Sequence, residues 1–388
     1  MVTVVTPETK SAINRRFTIG FYYSQNDIGG HTKFAINVAR ELTNYGVQSI
    51  HFVPYMTHFW YHSALIWPKV PLHQRWPAYL RSQLIMEIRY RRLRWRGHLI
   101  DPQATTERFL WSLNASRWAH VDFWILGGHW QYSEIAAAGM NNPQKIINVI
   151  HHPYNDNPSE IHSEYKTPPF ANVCDAILVA EQCRALGIRI DSTISLGVDI
   201  TMFYPRLGTD HTQKQVGFFF YQHARKNPSL IRRAINELLS RRPDVAIHVF
   251  GNGYRGPVSP NIVIHENLLE KEYARLIRSL DVFVYISNQE GFGLPPLEAM
   301  ACGVPVVASA VGALPEFIES GFDGFLLPTD SDAPNYINRV IELLDNPSLW
   351  ANMSALARSK AQAWTWKRTA QGYADLFNRL SSTRSYFR

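Results

Sequence analysis

The segment Ser287–Ala308, which reads SNQEGFGLPPLEAMACGVPVVA, constrains this chain more than any other stretch. Before it, Asp281–Ile286 is an apolar run with the pattern of a strand buried on both faces. A glycine loop follows, and Leu294-Pro295-Pro296 opens a helix, because proline suits the first turn, where N–H groups lack intrahelical partners. The N–H groups that remain free there, with the positive end of the helix dipole, make an anion site facing out of the loop. Two carboxylates bracket that site, Glu290 before it and Glu298 inside the helix. A phosphate for the N–H groups and sugar hydroxyls for the carboxylates satisfy both, and a nucleotide sugar carries both groups.

The same residues resemble the donor-site signature of the retaining GT-B glycosyltransferases of family 4, the glycosyl transferases group 1. The match runs from Glu290 across seven residues to Glu298, then through Ala299–Ser309, Gly312–Glu316 and Gly321–Leu326. The resemblance implies an α/β chain of GT-B type: two Rossmann-like doubly wound domains facing a central cleft, with a C-terminal helix crossing back to the first domain. It implies a retaining transferase that moves a sugar from a nucleotide diphosphate sugar to a hydroxyl of a glycan, glycolipid or other acceptor. Substitution is then front-face, through an oxocarbenium-like state in which the departing phosphate takes the acceptor's proton. No carboxylate pair of the kind retaining hydrolases use is legible. That chemistry requires no metal and no cofactor beyond the nucleotide sugar as co-substrate. The competing reading is a non-catalytic sugar-nucleotide or glycan-binding relative of the same fold.

Composition sets the frame. A chain of 388 residues with 46% hydrophobic content can bury two cores, and 18% charged residues argue against long disorder. Cys174, Cys183 and Cys302 fall in no disulfide or zinc-ligand spacing, so a reducing compartment fits. No run approaches the ~20 apolar residues of a membrane span, and the N-terminus lacks a leader pattern. The expectation is a cytoplasmic protein, soluble or peripheral at the cytoplasmic membrane face. A net charge of +7 and a pI near 9.2 favour anionic partners. A homo-oligomer is left open.

Strand and helix patterns alternate along the chain. Phe17–Tyr23, Gly29-Gly30, a helix over Thr32–Tyr45 with Phe34, Val38 and Leu42 on one face, and Val47–Val53 form a βαβ unit. Val121–Leu126, Lys145–Ile150 and Ala176–Ala180 read as further strands. The pattern breaks at Gly197–Pro205 and resumes with strand Val216–Tyr221, helix Pro228–Ser240, strand Val245–Phe250 and helix Glu270–Ser279. The tail Leu349–Leu380 reads as helical, with Trp364, Trp366, Tyr373 and Phe377. Domains are expected at 1–206 (acceptor side), 207–365 (nucleotide-sugar donor side) and 366–388 (terminal helix).

The resemblance assigns roles residue by residue. Glu298 takes the ribose, and Glu290 the donor sugar's hydroxyls, with the backbone of Gly291, Phe292, Gly293 and Leu294 nearby. Arg225 and Lys226 clamp the leaving diphosphate, a task that suits fixed cations. Family members carry an arginine a few residues earlier, near where Tyr221 stands here. Gly29 and Gly30 let the first-domain backbone approach the donor phosphates. His151, after strand Lys145–Ile150, reaches the sugar or the reacting centre, with His152 and His129 as weaker candidates. Base contacts are expected from the backbone around Asn267-Leu268. Asp330-Ser331-Asp332 mimics a metal-binding acid pair but sits in a polar loop and reads as a turn.

Residues 59–97 match no motif of the family. They carry Phe59, Trp60, Tyr61, Trp67, Trp76 and Trp95, with Arg89, Arg92 and Arg96 on one side of a helical wheel. A basic amphipathic stretch with aromatics suits an anionic membrane surface, here through residues 76–97, and so a lipid-linked acceptor. Packing inside the first domain or against a partner chain is the alternative. Nucleic acid is not expected, since no binding module accompanies the charge.

Overall fold

The computed structural model describes residues 17–22, 30–54, 105–110, 120–127, 142–152, 170–206, 213–266 and 268–384. Gly29, His129, Asn267 and the whole of 59–97 lie outside the described residues. The chain divides into two compact units, one of residues 1–148, 169–171 and 369–388, the other of 149–168 and 172–368.

The first unit is built on parallel strands. These are β1 (Thr18–Tyr22), β2 (Gln48–Pro54), β3 (Thr105–Leu110), β4 (Phe123–Leu126) and the start of β5 (Ile146–Ile150), in the order β3-β2-β1-β4-β5. Thr18 pairs with Gln48, Ile19 with Phe123 and Trp124 with Ile146, so the order reverses between β1 and β4, as in a doubly wound sheet. Phe17, Ile19, Phe21, Phe123 and Ile125 are buried, because a parallel sheet covered on both faces turns every strand position inward. Helix α1 (Gly30–Leu42) buries Phe34, Val38 and Leu42, the spacing read from the sequence.

The terminal helix returns to this unit. From Thr369 onward it contributes Phe377, stacked on Phe123 at 5.3 Å and set against Phe17 at 5.9 Å. Its Tyr373 lies 5.6 Å from Phe34 of α1. Buried aromatic pairs of this kind exceed simple area burial by about 1 kcal/mol each. The crossing helix implied by the resemblance is therefore present.

The second unit holds β6 (Ala171–Cys174, from Asn172 on), α2 (Ile177–Ala185), β7 (Ser192–Thr193) and a six-stranded sheet. Its strands are β8 (Gln215–Tyr221), β9 (Ala246–Asn252), β10 (Ile262–Glu266), β11 (Val282–Tyr285), β12 (Val306–Ser309) and β13 (Phe325–Leu327). They run parallel in the order β10-β9-β8-β11-β12-β13, with Phe283 opposite Gly217 on one side of β11 and Val306 on the other. Helices α3 (Pro228–Arg241), α4 (Glu270–Ser279), α5 (Leu294–Ala301), α6 (Leu314–Phe317), α7 (Ala333–Asp345) and α8 (Pro347–Gln362) follow in chain order. Leu230, Ile231, Ala234 and Leu238 of α3 and Tyr336, Ile337 and Val340 of α7 join the strands in one core.

Two sequence expectations are corrected. Ala176–Ala180 is not a strand: the strand lies at Ala171–Cys174, and helix α2 begins at Ile177. Glu316 Oε1 accepts from the N–H groups of Ile177 at 2.6 Å and Leu178 at 3.3 Å, so a distant carboxylate satisfies a helix first turn that has no local cap. The helical tail is two helices, α8 and α9 (Trp366–Arg384), divided at Ala363–Thr365, where Thr365 forms a β-bridge with Val198. That bridge ties the Gly197–Pro205 segment into the second unit. Among the described residues, no helix is long and apolar enough to cross a membrane.

Candidate active site

In the second unit the strand order reverses between β8 and β11. Ligands of open α/β sheets bind beyond the carboxyl ends of the strands at such a point. The chain places one loop there after each strand. Beyond β8 comes the turn His223–Asn227, and beyond β11 comes Ile286–Gly293.

The two loops are bound to each other through polar groups. The carbonyl of Arg225 accepts from Asn288 N–H at 2.7 Å and from Ser287 Oγ at 2.9 Å. Asn227, at φ 45°, donates through Nδ2 to Asn288 Oδ1 at 2.8 Å. This fixes the backbone at Lys226, whose Nζ donates to Glu290 Oε1 and, at 3.2 Å, to the Tyr285 hydroxyl. Tyr285 in turn donates to Glu290 Oε1 at 2.9 Å. Glu290 is 6% exposed, so its charge is held by an ammonium and a phenol rather than by bulk water. Burial, and then the Glu290 carboxylate, hold the Tyr285 hydroxyl well above the usual phenol range, so it stays a donor.

Backbone packing fixes the other side of the loop. A Cβ on Gly291 would collide with the carbonyl oxygen of His151. One on Gly312, at φ 56°, would meet Glu290 Cβ at 2.8 Å. Ala313 N–H donates to Gly291 O at 3.0 Å. The strand end at His151, the Glu290 loop and the Gly312 turn thus lie backbone against backbone. Phe292 anchors the loop by burying its ring against Phe317 at 5.5 Å and Trp364 at 6.0 Å.

Gly293 immediately precedes α5, which opens on Leu294-Pro295 as the sequence indicates, with Leu294 buried. Glu298 lies further along α5 and is 4% exposed. Beside it, the Tyr273 hydroxyl of α4 is pushed well up by burial and then by the Glu298 carboxylate.

His151 follows β5 and is buried. Its Nδ1 lies 2.7 Å from Asp175 Oδ2, one residue past β6. Burial lowers the imidazole to about 4, so it is neutral at pH 7. A carboxylate can only accept, which puts the proton on Nδ1 and makes Nε2 the acceptor nitrogen. His152 is exposed. Arg225 and Glu290 line a cavity of about 560 Å³ with Gln182, Gln289, Val311 and Thr329.

The structure thus brings Glu290, Lys226, Gly291, Phe292, Gly293, Leu294 and His151 into one neighbourhood, with Arg225 at the cavity wall. Leu268 sits half-buried just ahead of α4, beyond β10 at the edge of the sheet. Gly30 is the first residue of α1, in the first unit. Asp332 accepts from Asn335 N–H at 3.2 Å and caps α7, a structural role for the Asp330–Asp332 turn. Sequence reasoning missed Tyr285, Asp175, Tyr273 and the capping role of Glu316. Tyr285 and Asp175 share one legible signal, since each stands at or just past a strand's carboxyl end.

Residues 214–346 match the family "Glycosyl transferases group 1". Over that segment the chain is similar to the group 1 glycosyl transferases. It is 27% identical over 212 residues to D-inositol 3-phosphate glycosyltransferase of Saccharomonospora viridis, covering 48% of this chain and 49% of that protein. With the enzyme of the same name from Arthrobacter sp. it shares 32% over 196 residues, 45% of this chain and 46% of that one. The chain spans about half the length of these relatives. Its fold matches sucrose-phosphate synthase of Thermosynechococcus elongatus at 15% identity and a TM-score of 0.69, covering 95% of this chain and all of the other. HepE of Anabaena, solved in complex with UDP and glucose, aligns with a TM-score of 0.70 and 15% identity over 93% of this chain and 99% of that one.

The buried histidine gives a pH signature. With the folded value near 4 and the unfolded value at 6.5, the unfolded chain takes up a proton that the folded chain refuses. Stability is therefore full above pH 6.5 and falls as pH drops toward 4, by on the order of 3 kcal/mol from this group. Thermal melts of wild type and His151→Asn across that window should show the wild-type curve falling more steeply; parallel curves would count against a buried neutral His151.

Proposed function

We propose that the chain is a retaining, metal-independent glycosyltransferase that takes a sugar from a nucleotide diphosphate sugar and places it on an acceptor hydroxyl. One observation carries this reading: Glu290 is held by Lys226 and Tyr285 at the strand-order reversal, directly before the opening of α5. The first N–H groups of α5 and the Lys226 ammonium suit a diphosphate, whose charge grows as the glycosidic bond breaks. Arg225 stands one residue away and adds a second cation. Glu290 takes hydroxyls of the donor sugar, and Glu298, deeper in α5, takes the ribose. His151, neutral, presents Nε2 as an acceptor for a sugar hydroxyl rather than as a charge beside a cationic centre.

The acceptor is a hydroxyl of a glycan, a glycolipid or a small polyol. The sequence relatives named above act on D-inositol 3-phosphate, and the half-length match extends that to this chain only as a candidate. UDP-sugars are the first donors to test, because HepE was solved with UDP and glucose. A non-catalytic nucleotide-sugar binder is the second reading. It is favoured by one feature, Tyr221, which stands 43% exposed near where the family's arginine is expected.

Incubation with a panel of nucleotide sugars separates the two. Slow nucleotide release with at least one donor supports the transferase, and binding without turnover for every donor supports the binder. Glu298→Ala should weaken nucleoside diphosphate binding by about tenfold or more, while Glu290→Ala should lower kcat and leave that affinity near wild type. Calorimetry reads the first, and unchanged affinity in Glu298→Ala would remove the ribose assignment. Activity should also survive excess EDTA, since Lys226 and Arg225 offer the positive charge that a metal would otherwise bring to the diphosphate. Loss in EDTA with recovery on adding magnesium or manganese would contradict the metal-free clamp.

A further inference from the structure

We propose that Tyr285 is a positioning residue for the transfer reaction, holding Glu290 in place while the Lys226 ammonium turns to the donor diphosphate. The inference rests on the transferase reading above and concerns what the Tyr285 contact does once the donor binds.

Three contacts meet on one oxygen pair. Lys226 Nζ and the Tyr285 hydroxyl both donate to Glu290 Oε1, and Lys226 also donates to the Tyr285 oxygen. Glu290 Oε2 has no hydrogen-bond partner among the described residues, and Glu290 lines the 560 Å³ cavity. One carboxylate oxygen is therefore anchored and the other is left for a ligand. The two anchors differ in kind. Lys226 is a flexible cation, 25% exposed at its side chain, whose ammonium also lies 5.5 Å from the Tyr285 ring centroid and 5.9 Å from that of Phe219. An arriving diphosphate competes with Glu290 for that ammonium.

Tyr285 cannot be drawn away in the same manner. Its side chain is fully buried, its ring lies 5.4 Å from Phe219 and 6.1 Å from Phe283, and its backbone is in β11. A phenol fixed in this way keeps donating at one point in space. Without it, a carboxylate whose lysine has been recruited elsewhere would lose its remaining hydrogen-bond donor among the described residues and drift from the sugar. Reaction rates are sensitive to such displacements.

Tyr285→Phe keeps the ring and removes the donor. We expect kcat to fall about ten- to hundredfold, the loss typical of one hydrogen bond to a charged group, with nucleoside diphosphate affinity unchanged. In a Glu290→Ala background the same substitution should have no further effect on kcat, because the group it positions is gone. A purely structural tyrosine would give the same loss in both backgrounds. Rates are normalised to folded protein from thermal melts of each variant, so that partial unfolding is not read as catalysis. Wild-type kcat in Tyr285→Phe, or a loss that persists in full without Glu290, overturns the assignment while wild-type turnover leaves the transferase reading standing. A wild type that turns over no donor overturns both.

Discussion

The arrangement depends on a backbone contact that only glycine permits. Gly291 lies against the carbonyl of His151 on one side, while its own carbonyl accepts from Ala313 N–H on the other, beside Gly312. No side chain intervenes, so three segments far apart in sequence meet at their main chains. The strand end brings His151, the loop brings Glu290, and the Gly312 turn leads to Glu316, which caps α2 just beyond Asp175, the hydrogen-bond partner of His151. A methyl group at 291 would force one of these apart. The cost would fall on the site before it fell on the core, because the buried strands beneath are held by their own ladder.

Electrostatics completes what packing begins. Two buried acids of the site are matched to donors, Glu290 to Lys226 and Tyr285 and Asp175 to His151. Burying a carboxylate costs several kcal/mol unless donors satisfy it, so these pairs are conditions for the site's existence rather than ornaments of stability. Two tyrosines, 273 and 285, keep their protons because they are buried next to carboxylates. Such donors can hold an acid in place without adding charge.

Much of this was legible in the sequence, and for physical reasons. The β11–loop–α5 unit announces itself through an apolar run, two glycines and two prolines, each of which restricts local geometry. The Phe34, Val38, Leu42 stripe and the aromatic tail likewise report burial directly. The interactions that escaped are between segments distant in sequence. Ala176–Ala180 has strand-like composition, yet Glu316, some 140 positions away, stabilises a helix start there. Asp175 shows no pattern as a partner of His151, since adjacency of β5 and β6 ends is a matter of strand order. Tyr285 reads as one more apolar residue of a buried strand, and its hydroxyl acquires meaning only once Glu290 folds back upon it.

The central claim is that a nucleotide sugar sits beyond β8 and β11 with Glu290 on its sugar and Lys226 on its diphosphate. A crystal structure of the protein with a bound nucleotide sugar tests this most directly. The account predicts a sugar hydroxyl within hydrogen-bond distance of Glu290 Oε2, diphosphate oxygens facing the first N–H groups of α5 and the Lys226 ammonium, and Tyr285 still donating to Glu290 Oε1. A ligand held elsewhere in the second unit, or one whose sugar points away from Glu290, would contradict it.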